Sequence, residues 1–136
     1  MPLISNTNGA IDRTRLADWA TLREKVTVVA ATDAATTQSA DTLAAAGRVI
    51  YTMTPTAGRA LTTPTGAQLG TAFTDEAVGT SFEFTVVNLA AATHAITLTA
   101  GASGVTLVGS ATVSAASSAT FLGVFTAADT VSIYRK

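Results

Sequence analysis

VGTSFEFTVVNL, residues 78–89, sets Phe82, Phe84 and Val86 against Ser81, Glu83 and Thr85. Strict alternation of apolar and polar side chains marks a strand with one face buried and the other in water. Downstream, HAITLTAG (94–101) repeats the pattern with Ile96 and Leu98. GVTLVGS (104–110), ATVSA (111–115), SATFLGVFT (118–126) and DTVSIYR (129–135) follow as further short strands between Gly-, Asn- or Ser-rich turns. Short strands with such regular punctuation predict an all-β fold, an antiparallel β-sandwich or jelly-roll-like domain.

Working upstream, RVIYTMT (48–54) places Val49, Tyr51 and Met53 on one face and Ile50 and Thr52 on the other, and Pro55 ends the run. Within PTGAQLGTAF, Thr65 is positioned to cap a single helical turn that carries Leu69 toward the sheet. KVTVVAAT (25–32) is β-branched and reads as a strand. DAATTQSADTLAAAG (33–47) mixes helix-favouring alanines with threonines and serines, and reads mostly as loop. Residues 1–10, with Pro2, Asn6, Asn8 and Gly9, suit an extended arm. From Asp12, Leu16, Trp19 and Ala20 fall at i, i+3, i+4 with Arg23 continuing that face, the mark of a short amphipathic helix near 12–24. The expected organisation is an N-terminal arm and docking segment over 1–47, then a β-sandwich oligomerisation domain over 48–136.

Composition narrows the function classes. Only 12% of residues are charged and the net charge is −1, and no Lys or Arg stands between Arg59 and Arg135. Nucleic-acid binding calls for a basic patch or stripe, so no nucleic-acid partner is expected. The absence of Cys removes thiol nucleophiles, disulfide frameworks and Cys-ligated zinc together. The N-terminal sequence has no basic-then-apolar secretory pattern and no apolar run is long enough to span a bilayer, so no membrane partner is expected.

A search for chemistry returns little. His94 is the single histidine and lies after a turn with no acid nearby in sequence. Asp75 and Glu76 are adjacent and read as a polar turn rather than as carboxylates facing each other across a bond. AGASGVTLVG has no following GK[ST] element, and no GxSxG elbow occurs. The reading is of a chain that is not an enzyme, with no cofactor, no metal and no catalytic residue.

Strand edges point the other way, toward association. Proteins that stand alone blunt exposed edges with Lys, Pro, bulges or inward charges. Between Phe82 and Val131 the strands carry Glu83 as their one charge, with Thr and Ser alternating outward. Such edges are expected to be covered by other chains in a homo-oligomer.

From about Thr54 to Lys136 the chain resembles a β module of tailed-bacteriophage virion proteins. The resemblance is carried by PTAGRALTTPTGAQL, VGTSFEFTVVN, HAITLTAGASGVTLVGSATVSAASSATFLGVFT and the closing VSIYRK. It implies a capsid decoration (cement) protein that forms homotrimers on the outer surface of the head and stabilises the lattice of the major capsid protein. Its location would be the virion, after synthesis in the host bacterial cytoplasm. The alternative it implies is a head- or tail-fibre module that attaches to host-surface glycans, with Trp19, Tyr51 and Tyr134 as the polar-edged aromatics available. For the decoration reading, the docking candidates are Arg13, Arg15, Leu16, Trp19 and Arg23.

Overall fold

The computed structural model describes residues 25–45 and 48–136. The expected helix near 12–24 and the docking candidates Arg13, Arg15, Leu16, Trp19 and Arg23 lie outside the described residues.

The described chain is mostly β and builds two sheets. Its strands are β1 (Val26–Ala30), β2 (Thr36–Thr37), β3 (Arg48–Met53), β4 (Arg59–Thr62), β5 (Ser81–Asn88), β6 (Ile96–Thr99), β7 (Val105–Val108), β8 (Thr112–Val113), β9 (Ser117–Ala127) and β10 (Thr130–Arg135). Two short helices interrupt them, α1 (Ala40–Ala45) before β3 and α2 (Gly66–Ala72) before β5. The six-stranded sheet runs β1-β3-β5-β9-β10-β7 and the four-stranded sheet β2-β4-β6-β8. From β1 to β9 the chain therefore changes sheet after every strand.

That alternation corrects the antiparallel expectation. Only β5–β9, β9–β10 and β6–β8 pair antiparallel. The pairs β1–β3, β3–β5, β2–β4, β4–β6 and β7–β10 are parallel. From β1 to β6, a chain that crosses to the opposite sheet and then returns runs again in its original direction, so strands one winding apart lie parallel; β8 reverses this against β6. The period-2 pattern fixes which face is buried but is blind to strand direction.

Side-chain alternation places the core where the sequence predicts. Val49, Tyr51 and Met53 of β3 and Phe82, Phe84 and Val86 of β5 point inward, together with Phe121 and Phe125 of β9. Leu61, Ile96, Leu98 and Val113 of the smaller sheet join the same apolar cluster. Phe84 stacks on Phe121 with ring centroids 5.4 Å apart, and Tyr51 meets Phe84 edge-on at 6.2 Å. Phe82 lies over Gly123, its register partner across β5 and β9, and no Cβ fits beneath its ring. Burial of these aromatic and branched side chains supplies most of the apolar area that the many alanines do not.

Thr65 caps α2 as expected. Its hydroxyl accepts from the Gln68 main-chain N–H at 3.2 Å, while the Gln68 side chain accepts from the Thr65 N–H at 2.9 Å. This reciprocal capping box satisfies two N–H groups that a helix start otherwise leaves open. It drives Leu69 fully into the core. The stretch 33–47, expected to be mostly loop, holds β2 and α1 instead. Ser39 accepts from the Thr42 N–H, and Leu43 is buried, so one apolar anchor on an alanine-rich turn outweighs the Thr and Ser signal. The strand expected to begin at Val78 begins at Ser81. Val78 sits exposed in a turn with Gly79 at φ +94°.

Polar ties hold the crossings between sheets. In the loops that follow β1 and β3, the Asp33 carboxylate accepts from Arg59 Nε at 2.6 Å and from the Thr56 N–H at 3.2 Å, with the Thr56 hydroxyl as a third donor. At the other crossing, buried Asn88 donates to the carbonyl of His94 at 2.8 Å and accepts from the Ala90 N–H at 3.0 Å.

Candidate interaction surface

The registers bring six residues from six strands into one row across the outer face of the larger sheet. It runs Val26, Arg48, Glu83, Leu122, Tyr134, Val108. A second row holds Val28, Ile50, Thr85 and Thr120, and a third holds Ala30, Thr52, Val87 and Ser118. Inward-facing side chains alternate with these along every strand, as the pleat requires. The outer face is thus built from valine, threonine and serine, with a few larger apolar residues.

Charge on this face is sparse. Glu83 pairs with Lys136 at 3.3 Å, and Arg48 stands beside Glu83 in register. Thr85 and Thr120 share a hydroxyl hydrogen bond at 3.0 Å across β5 and β9. The apolar exposure concentrates at the two ends of the sheet. Val26 is 48% and Val28 64% exposed on β1, and Tyr134 and Val108 are exposed toward β7.

Those ends are also the edges of hydrogen bonding. Among the described residues β1 pairs only with β3, and β7 only with β10. Neither edge strand contains Pro or an ionisable residue, although Lys25 precedes β1 directly. The β7 edge is short and flanked by Gly104 and Gly109, both at positive φ. Arg135 reaches past it to accepting carbonyls of Thr112 at 2.6 Å and Ser110 at 3.3 Å, fixing the β7–β8 connection. β1 has no comparable strap among the described residues.

Other candidate positions carry less. Tyr51 is in the core, where burial pushes its phenol up to about 12, so it offers no ring to a glycan groove. Tyr134 is exposed on the outer face. His94 follows Thr93, which holds φ 66°, and serves Asn88 through its main-chain carbonyl. Asp75 and Glu76 lie in the turn between α2 and β5, as the sequence predicts. The Glu76 and Asp129 carboxylates both crowd the position where Gly70 would carry a Cβ. No group of three or more His, Cys, Asp or Glu side chains that could hold a metal occurs among the described residues. A shallow groove of about 470 Å³ lies between α1 and α2, lined by Ser39, Ala40 and Asp41 on one side and Ala67, Gln68, Thr71 and Ala72 on the other. No described helix is long and apolar enough to cross a membrane.

The sequence reading missed the row from Val26 to Val108. Its signal is present in VTVVA and VTLV, where apolar residues occupy both faces of a strand, but only the register shows that they fall in line. Comparison with protein-family models, with curated proteins and with solved structures gives no match.

Proposed function

We propose that this chain is a virion structural protein of the decoration type. Homotrimers bind the outer surface of an icosahedral bacteriophage head, contact the major capsid protein and stabilise its lattice. The role is mechanical and uses no catalysis, cofactor, nucleic acid or membrane. The protein is made in the bacterial host cytoplasm and ends on the outside of the virion.

The observation that supports this reading is the uncharged edge strand β1, with Val26 and Val28 exposed and, among the described residues, no strap across it. An edge of that kind invites pairing by another chain. It also stands directly after residues 1–24, which hold Arg13, Arg15, Leu16, Trp19 and Arg23, the candidates for contact with the shell. A ligand that binds only the assembled lattice stabilises it by mass action. A trimer that engages several shell subunits at once gains roughly 10²–10⁴ in avidity over one weak contact. Individually modest contacts then suffice to hold the shell against internal DNA pressure.

Incubation with emptied, expanded heads tests the proposal. Saturable, stoichiometric binding that raises the melting temperature of the shell is expected. Binding to host cells and not to shells would replace this reading with the fibre module, for which Tyr134 is the exposed aromatic the described residues offer.

A further inference from the structure

The main-chain groups of β1 alternate in direction as its side chains do. Arg48 donates its N–H to the Lys25 carbonyl at 3.3 Å, and Ala31 donates to the Thr52 carbonyl at 2.8 Å. In the parallel register between those two bonds, Thr27 and Val29 turn their main-chain groups toward β3, and Val26, Val28 and Ala30 turn theirs to the edge, which no other described strand covers. The same three residues carry the exposed side chains of the strand. One added strand would satisfy these N–H and C=O groups and cover Val26 and Val28 together.

We infer that this strand is the β1 of a second copy, paired antiparallel about a two-fold axis at Val28. Val28 then faces the partner's Val28, and Val26 faces the partner's Ala30 on either side of the axis. Each of these positions is a hydrogen-bonded pair, in which opposed residues exchange both bonds. A slip of one residue would set Val28 against the partner's Val29 and join the outer face of one sheet to the inner face of the other. A slip of two would leave Val26 or Ala30 without a partner inside the strand. The axis at Val28 is the register that uses all three residues.

The ends match in charge. Lys25 precedes β1 and Asp33 follows it. The antiparallel axis sets Lys25 beside the partner's Ala31, two positions from the partner's Asp33, and repeats the arrangement at the far end. An in-register parallel pairing would bring the two lysines together instead. Because the contact is one strand wide, it falls below the standard interface of about 800 Å² per partner, and a reversible association is expected. The inference does not depend on the shell reading. A three-fold trimer contains no two-fold axis, so where such a trimer forms, the β1 pair joins protomers of neighbouring trimers. Loss of the pair would leave shell binding in place, and loss of shell binding would leave the pair.

The chain contains no Cys, so one introduced thiol reports one position. Val28→Cys, oxidised gently at high protein concentration, is expected to link to itself as a covalent dimer. Opposed residues of a hydrogen-bonded pair stand about 5.5 Å apart at Cα, within disulfide reach. Val26→Cys alone is expected to stay unlinked, because its two copies lie four residues, about 13 Å, apart along the strands. A mixture of Val26→Cys and Ala30→Cys chains should link one to the other. In sedimentation velocity the unaltered full chain should show a species of twice its smallest mass that grows with concentration. Val28→Lys, which opposes two like charges at the axis, should weaken that doubling about tenfold. If circular dichroism shows that Val28→Lys disturbs the sheet, the cysteine pattern decides alone. A mass that does not change with concentration overturns the inference. So does a Val28→Cys thiol that stays free, which assigns the edge to a different occupant, and so does equal linking at positions 26 and 28, which marks chance collision.

Discussion

Asn88 donates to the carbonyl of Val113 at 3.0 Å, from the last residue of β5 in one sheet to the last residue of β8 in the other. With its bonds to His94 and Ala90, one buried amide uses both donors and its acceptor, and joins the two sheets at the crossing that follows β5. Polar side chains are admitted to such interiors only when their partners are in place.

Asn88→Leu keeps the volume and removes all three bonds. The expected loss is about 2–4 kcal/mol, because main-chain groups at Ala90, His94 and Val113 lose a buried partner. Chemical denaturation of the two proteins measures it. Equal stability would mean that the sheets are held by apolar contact alone.

Gly123 lies beneath the Phe82 ring, and an added Cβ would overlap the ring carbons. Phe82 is itself wedged against Phe73 at 5.1 Å, so the ring has little freedom to withdraw. Gly123→Ala should therefore destabilise by about 1–3 kcal/mol through overpacking, even though alanine is the better residue for a β-strand. Adding Phe82→Leu to Gly123→Ala should cost less than the sum of the two single changes. Simple additivity would show that the clash is relieved elsewhere.

Asp33 supports a pH dependence of defined sign. Donation from Arg59 first, and then from Thr56, holds its carboxyl far below the ordinary value of 3.8. A carboxyl with a depressed folded-state pKa contributes its stability fully above the unfolded value and loses it as pH falls below that value. Urea midpoints should therefore hold from pH 7 to about pH 5 and drop as pH falls further toward about pH 2, and Asp33→Asn should flatten part of that drop while lowering stability at neutral pH. A variant with the same acid-side slope as the unaltered chain would remove Asp33 from the account. The contribution is small, since Asp33 and Arg59 are both in contact with solvent.

Two side chains point to gains. Neither amide atom of Gln38 nor the hydroxyl of Tyr51 finds a hydrogen-bond partner among the described residues, and both residues are buried. Gln38→Met and Tyr51→Phe retain most of the packing and remove groups that lost water without compensation. Each should raise stability by about 1 kcal/mol, read as a higher thermal midpoint. A fall in either variant would mean that the polar atom is satisfied in solution.

What the sequence made legible follows from what periodicity encodes. Alternation in FEFTV marked Phe84 and Val86 as the buried face, and in VIYTM it set Val49 and Tyr51 on the face opposite Ile50, because successive side chains of a strand point to opposite sides. The Thr65 cap was readable because its geometry is local. The sheet order was not readable, since the partners of β5 are β3 and β9, and no local pattern says whether a neighbour runs up or down. α1 was hidden because its decisive event is the burial of Leu43 against distant strands. The outer row escaped for the same reason: Val26 and Val108 are far apart in sequence, and it is the summed register of the sheet that aligns them.

The winding from sheet to sheet also sets the order in which this protein can assemble. Apart from β9 and β10, no two successive strands pair, so nearly every ladder must wait for a segment made much later. β5, the third strand of the larger sheet, receives its second neighbour only when β9 has left the ribosome. Contacts so distant along the chain make folding slow. The C-terminal hairpin is thus the keystone: a nascent chain that stops before Ser117 should hold two fragments of sheet with nothing between β5 and its missing flank, and should be cleared by proteases rather than wait half-built.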